Sequence, residues 1–447
     1  MPSLRADPWT EEAAMTDTGI GESTPAARPV HPAYGYPTEE RYRPRGWVRH
    51  LAGVATSPAA VPAARVALER AAGRRAGRLR EAAAQGLARR RRPLRRMRAL
   101  MAYPGGRLRW RDVPAPPSPG PDAAVVHPVA VATCDLDRAM GLGMTPFVLP
   151  FRFGHECVAE VTEVGERVTS VRPGDRVVVP FQISCGTCER CRAGLTGNCA
   201  TVPPISMYGF GVIGGHWGGV LADLVTVPYA DGMLVPLPDG IEPATAASVA
   251  DNVTDGYRCI APHLPGILAR EPDTDVLLLT ELGRGLPLSA SAALYAGLTA
   301  RALGARRVHL VDRREHVRRH AEALGLIPHP PRELRGLPPM PLVYEASATA
   351  RGLAAAIDKT APDGVCVSAA SLRAHTRFPT AAMYGRNITY HLARSHARAN
   401  IPAVLDLISS GALDPSRVTS HLGSLDTADR AIAEHLRGEA TKTIVVE

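Results

Sequence analysis

The sequence predicts an α/β protein in two parts: a β-rich, barrel-like domain and a parallel sheet flanked by helices. Three observations carry this. Residues 97 to about 250 read as short β-rich runs separated by Gly and Pro. From about 275 the pattern changes to apolar strands alternating with helical runs, the signature of βαβ units. Apolar content of 45% and charge of 21% are ordinary for a globular chain with real cores.

The first 96 residues stand apart. Residues 1–45 are rich in Pro, Thr, Ala and Glu without periodicity and are expected to be disordered. The Ala/Arg stretch 60–96 has helical spacing but a thin apolar face, so it reads as a solvated tail or as a segment upstream of the true start at Met97. Its other reading is a helix that binds an acidic surface or RNA. The net charge of +9 belongs to this end of the chain, because residues 51–100 set thirteen arginines against Glu69 and Glu81. The chain holds only two lysines, Lys359 and Lys442. No run of eighteen apolar residues is present, which argues against a membrane span. The acidic first thirty residues do not read as a secretory signal, and LAGVATSPAAVPAA (51–64) is internal and broken by prolines. A reducing, cytoplasmic setting is therefore expected, in which clustered cysteines hold metal rather than form disulfides.

The β-rich part contains CVAEVTEVG (157–165), RVVVPF (176–181) and GMLVPLPDG (232–240). The second part runs through the strand VLLLT (276–280), a helix over 293–305, VHLVD (308–312), PLVYEA (341–346), a helix near GLAAAI, and GVCVSAA (364–370). A helix at IPAVLDLISSG (401–411) and a last strand in TKTIVVE end the chain.

Four of the eight cysteines crowd into CGTCERCRAGLTGNC, spaced C-x2-C-x2-C-x7-C. Cys185, Cys188, Cys191 and Cys199 can close a tetrahedron of thiolates around one zinc ion, a shell with no open position and hence structural. Disulfides between cysteines three apart would be strained. An iron–sulfur run would place its last cysteine closer and follow it with Pro, where this chain has Ala200. A zinc ribbon would separate two Cys pairs by a longer stretch. Taken singly, Cys157, Cys259 and Cys366, with His127, His216 and His309, read as ordinary buried or surface residues.

With VATCDLD (131–137), GHECVAEVTEVGERVTSVRPGDRVVV (154–179), the cysteine loop and ADNVTDGY (250–257) together, the chain resembles the zinc-dependent alcohol dehydrogenases of the medium-chain dehydrogenase/reductase family. The resemblance runs from about residue 97 to the C-terminus. It implies a GroES-like catalytic domain over 97–252 and 396–447, with a Rossmann dinucleotide-binding domain inserted at 253–395. It also implies a catalytic zinc held by Cys134, His155 and Asp251. Glu156 then serves as a neighbouring or transient ligand, and Asp137 as the carboxylate that orients the ring of His155. The cysteine loop becomes a brace near a subunit contact. One departure stands out: Leu136 occupies the place of a usual Ser or Thr, and Arg138 and Ala139 stand where a usual His is found. A proton would then leave through water or Asp135.

A dinucleotide site needs a glycine-rich turn between strand and helix. After VLLLT the chain offers Gly283 and Gly285, but Leu288 where a third glycine belongs, in a loop about five residues longer than typical. Ser289 or Ser291 could cap the following helix. Asp312, ending the next strand, would accept both ribose hydroxyls and favour NAD, whereas Arg313 and Arg314 beside it could favour NADP.

The expected function is a zinc- and NAD(P)-dependent oxidoreductase acting between alcohol and carbonyl compounds, with two zinc ions per chain and a homo-oligomeric assembly, dimer or tetramer. Two alternatives remain. One is an NADPH-dependent carbonyl reductase. The other is a non-catalytic zinc protein whose basic tail binds nucleic acid or a protein partner, motivated by the eroded glycine turn. Met207, Tyr208 and Trp217 are candidates for shaping the substrate pocket, but the substrate itself is beyond the sequence.

Overall fold

The computed structural model describes residues 95–447 except 146, 284, 371–376 and 439. The expected disordered extension therefore lies outside the described residues, apart from its last two positions.

Two large sheets organise the chain. The first has seven strands. Its main path is β15 (His421–Ser424), β16 (Thr443–Val446), β3 (Ala124–Ala132), β5 (Glu156–Val164), β6 (Arg176–Val179) and β8 (Val235–Pro236), with β7 (Val225–Val227) also on β3. All its pairs are antiparallel except β15–β16. A smaller sheet of β2 (Arg107–Pro114), β1 (Arg96–Tyr103) and β4 (Phe151–Arg152) packs beside it. The run 232–240 contributes less strand than expected. Ala230–Met233 forms a helical turn and only Val235 and Pro236 pair, because Pro236 and Pro238 remove ladder donors.

The second sheet has six parallel strands in the order β11 (Ile327–His329), β10 (Arg307–Val311), β9 (Asp275–Leu279), β12 (Met340–Glu345), β13 (Thr360–Ser368), β14 (Thr389–Leu392). Central β9 shows why its sequence is apolar after Asp275. Val276 and Leu278 enter one core, Leu277 and Leu279 the other, and all four are fully buried.

The helices used below are α1 (Asp137–Gly141), α2 (Asn252–Ile260), α3 (Ser291–Ala302), α4 (Ala397–Ser409) and α5 (Ala428–Arg437). One core joins the two sheets. Ala130, Ala132 and Val158 of the first sheet pack in the same cluster as Val253 of α2 and Leu294 of α3. Helices α2 and α3 cross closely at Gly256, where an added Cβ would lie 2.7 Å from the backbone nitrogen of Ala296. That crossing fixes the residues at the start of α2 against those at the start of α3. No helix among the described residues is long and apolar enough to cross a membrane.

Candidate functional site

The cysteine loop forms a compact lobe. All eight cysteines are free thiols. The sulfurs of Cys185, Cys188, Cys191 and Cys199 lie within 4.8 Å of one another, with Cys185–Cys191 and Cys188–Cys199 both at 4.0 Å. Four sulfurs about 2.3 Å from one ion would stand roughly 3.8 Å apart, so the observed spacing fits a tetrahedral metal and is far too long for disulfides. Backbone amides already turn inward: Cys188 N–H donates to the Cys185 sulfur and Cys185 N–H to the Cys199 sulfur, both at 3.3 Å. Contact with Cys199, with help from Thr201 and Thr187, holds the Cys185 thiol down at about 3, and the same contact pushes Cys199 up.

A second donor set gathers where three elements meet. Cys134 follows β3, His155 immediately precedes β5, Glu156 opens it, and Asp251 precedes α2. One ligand atom from each lies within 4.8 Å of the rest. Asp251 Oδ2 is 3.4 Å from the Cys134 sulfur and 3.4 Å from His155 Nε2. The sequence builds this locally. Gly154 takes φ 87°, a left-handed turn into β5, and an added Cβ there would meet Leu221 at 2.9 Å. Asp251 takes the non-helical φ −148° between two helical segments, so its side chain leaves the helix axis toward Cys134.

The surroundings hold the donors in place. Asp137 Oδ2 accepts from the Cys134 N–H at 2.8 Å, and its other oxygen lies 3.9 Å from His155 Nδ1. Asn252 Nδ2 donates to the Cys134 sulfur at 3.4 Å. The His155 ring packs against Phe210 and Phe181, with centroids 4.7 and 5.9 Å away. Glu156 accepts from Ser248 Oγ at 2.8 Å and from Lys442 Nζ at 2.9 Å. Lys442 also donates to Asn252 Oδ1 at 3.0 Å and to the Thr133 carbonyl.

Electrostatics mark the cluster as incomplete without a cation. Burial, then Asp251 and Glu156, pushes the Cys134 thiol well above its ordinary value. Burial lifts Glu156 to about 8 even though Lys442 opposes it. Burial works against a charged His155, but Asp251 and Asp137 outweigh it and raise the imidazole. Both ring nitrogens of His155, Glu156 Oε1 and Asp137 Oδ1 are buried without a hydrogen-bond partner. Buried polar atoms are rarely left so. Donors about 3.4 Å apart also match the edges of a tetrahedron drawn at roughly 2.0–2.3 Å from zinc. The residues fit that metal.

The nucleotide turn is different. Ser291 N–H donates to Asp135 Oδ1 at 2.9 Å, its hydroxyl reaches the same oxygen, and Ala292 N–H donates to Asp135 Oδ2 at 3.2 Å. Neither expected serine caps α3. Asp135 does, and Ser289 Oγ instead meets His435 Nε2 at 3.1 Å. Asp312 is fully buried and accepts from Thr280 Oγ1 and Arg314 Nη2, both at 2.6 Å. Arg314 Nη1 donates to the Leu288 carbonyl at 2.7 Å. Arg313 pairs with Glu281. Gly283 has open space around its Cα, while a Cβ on Gly285 would meet Thr349 at 2.9 Å. In this conformation the start of α3 and the Asp312 carboxylate are each engaged by side chains of the chain itself.

Comparison with known proteins decides the family. Residues 120–239 match the alcohol dehydrogenase GroES-like domain. A "Probable zinc-binding alcohol dehydrogenase" of Mycobacterium tuberculosis is 30% identical over 349 residues, covering 75% of this chain and 85% of that one. The chain belongs to the zinc-dependent alcohol dehydrogenases of the medium-chain dehydrogenase/reductase family. Among solved structures, the alcohol dehydrogenase TADH from Thermus sp. ATN1 is 30% identical with a TM-score of 0.68, over 78% of this chain and 99% of that one. A glutathione-independent formaldehyde dehydrogenase of Pseudomonas aeruginosa is 35% identical, but over only 30% of this chain and 36% of its own. The fold is the expected one: a GroES-like part and a parallel, Rossmann-type sheet.

Sequence reasoning named the four donors but missed Lys442, Asn252 and Ser248 beneath them. One signal was available. In a chain with 52 basic residues other than His, only two are lysine, and both are buried with backbone carbonyl partners.

Proposed function

We propose that this chain is an oxidoreductase interconverting an alcohol and its carbonyl compound, with zinc and a nicotinamide dinucleotide as cofactors. Cys134, His155 and Asp251 would hold the catalytic zinc, and Cys185, Cys188, Cys191 and Cys199 the structural one. The observation that carries this is the buried meeting of a thiol, an imidazole and a carboxylate at 3.4 Å, with both imidazole nitrogens lacking a hydrogen-bond partner. A zinc ion with three protein donors and one open position polarises a hydroxyl or carbonyl oxygen, which favours hydride transfer at the attached carbon.

The chain's own residues set the rest. Asp137 orients Cys134 through its N–H and faces the ring of His155. Lys442 and Ser248 keep Glu156 turned beside the donors. Leu136 brings no hydroxyl, so the proton released from an alcohol leaves through water or through the carboxylate of Asp135, which adjoins Cys134. Phe181 and Phe210 wall the imidazole and favour an apolar substrate flank.

NAD is the coenzyme we favour, since Asp312 follows β10 directly as a carboxylate; NADPH and a physiological reduction form the second reading. The domain division at about 252 and 396 belongs to the same proposal and is supported by the two separate sheets. So does a homo-oligomer, supported by the sheet edge at β14, where Leu392 and nearby Tyr384 are exposed. A small-molecule substrate and a reducing, cytoplasmic setting complete it; eight free thiols agree with the latter. Metal analysis tests the core of the proposal. Two zinc ions per chain are expected, falling to one in Cys134→Ser, and an unchanged count in that variant would remove the catalytic zinc.

A further inference from the structure

The two groups that would receive a dinucleotide are both occupied by side chains of the chain itself. The start of α3 should meet a pyrophosphate, since the N-terminal amides and the helix dipole favour an anion there. It holds the Asp135 carboxylate through Ser291 N–H, the Ser291 hydroxyl and Ala292 N–H. Asp312 should meet ribose hydroxyls, which are donors. It holds the donors of Arg314, at both the backbone N–H and the guanidinium. Each receptor carries a partner of the kind its ligand would bring: an anion at the start of α3 and a hydrogen-bond donor at Asp312.

The loop between them is drawn in by the same residues. Ser289 N–H donates to the Asp135 carbonyl at 3.1 Å, and Arg314 holds the Leu288 carbonyl. The crevice left between Leu288–Ala290, Arg138, Arg314 and His316 holds about 10 Å³, room for about one water molecule. Asp135 itself is anchored beside Cys134, with its N–H on Asn252 Oδ1 at 3.3 Å.

We propose that Asp135 is a built-in occupant of the coenzyme's anion site, so that a dinucleotide binds only when this carboxylate leaves the start of α3, and that Asp135 thereby sets coenzyme affinity. This rests on the coenzyme reading above. The carboxylate opposes binding in two ways. It takes up donors the phosphates need, and its charge repels them at short range. Asp135→Asn keeps the shape and removes the charge, while Asp135→Ala also frees the amides.

The test is a titration of the full-length zinc-loaded protein with NADH and, separately, NADPH, followed by nucleotide fluorescence. Both variants should bind at least tenfold more tightly than the parent, Asp135→Ala more so than Asp135→Asn, with zinc content unchanged. Equal binding in parent and variants overturns the inference and leaves the coenzyme reading standing. No binding by parent or variants overturns both. If the variants do not fold, hydrogen exchange on the parent serves instead. At millimolar NADH, the Asp135, Ser291 and Ala292 amides should change protection at least tenfold as the contact opens, and unchanged protection at all three overturns the inference.

Discussion

The Cys134 cluster and the turn before α3 are joined by a single peptide bond, between Cys134 and Asp135, yet their buried polar groups are in opposite conditions. At the cluster, a thiol, an imidazole and two carboxylates converge with several atoms unpartnered. At the turn, amides, carboxylate and guanidinium have all found each other. Leaving a buried donor or acceptor unpaired costs about 1–3 kcal/mol each. A fold that leaves several together is organised around something that pairs them. The side chains of Asp135, Ser291, Asp312 and Arg314 carry no such deficit. Homology to an active family thus describes the first site better than the second.

The largest expected effect tests the first site. His155→Ala should lower turnover by about a thousandfold or more, since a metal's charge stabilisation is worth several kcal/mol, and should remove one zinc per chain. Retained turnover at full zinc content would break the contrast, because the unpartnered imidazole would then be a structural accident.

Next comes the buried cation beneath the donors. Lys442→Met leaves Glu156 buried without its ion partner and should cost about 3–5 kcal/mol in denaturant unfolding. Adding Glu156→Gln should return much of that loss, because the partner left behind carries most of the penalty. Equal losses in single and double variants would show that Lys442 matters by its packing alone.

The structural lobe sharpens the comparison from another side. Cys199→Ser should remove the other zinc and lower the unfolding temperature, while the Cys134 site keeps its metal. Loss of both ions together would mean that the two donor sets fold as one unit.

The smallest effect is remote from both sites. His309, on β10, is held low by burial and then by His329, whose Nε2 lies 2.9 Å from His309 Nδ1. The groups facing the pair are Asp275, Arg307 and Glu333. With the folded value below the ordinary one of about 6.5, the unfolded chain takes up the proton first as pH falls. Stability from this group is therefore full above about pH 6.5 and declines below it. His309→Gln should flatten that decline between pH 7 and 5 in unfolding curves, and an unchanged slope would assign the acid sensitivity to other groups.

Much of this was legible in the linear chain. The spacing of Cys185, Cys188, Cys191 and Cys199 is local, so four ligands within fifteen residues can be read without knowing the fold. Strand β9 is readable because Val276–Leu279, buried on both faces, form an unbroken apolar run. Cys134, His155 and Asp251 needed family likeness, since each alone is a common buried residue. The sequence by itself determined the sheets, the four-cysteine cluster and the types of donor available. Only the tertiary structure decided that Lys442, near the C-terminus, would sit under Glu156, and that Asp135 rather than Ser289 or Ser291 would cap α3. Those outcomes depend on how β3, β5, β16, α2 and α3 are brought together. Pairings between segments more than a hundred residues apart are set by packing, and a local pattern carries no record of which distant partner will neutralise a charge or complete a helix end.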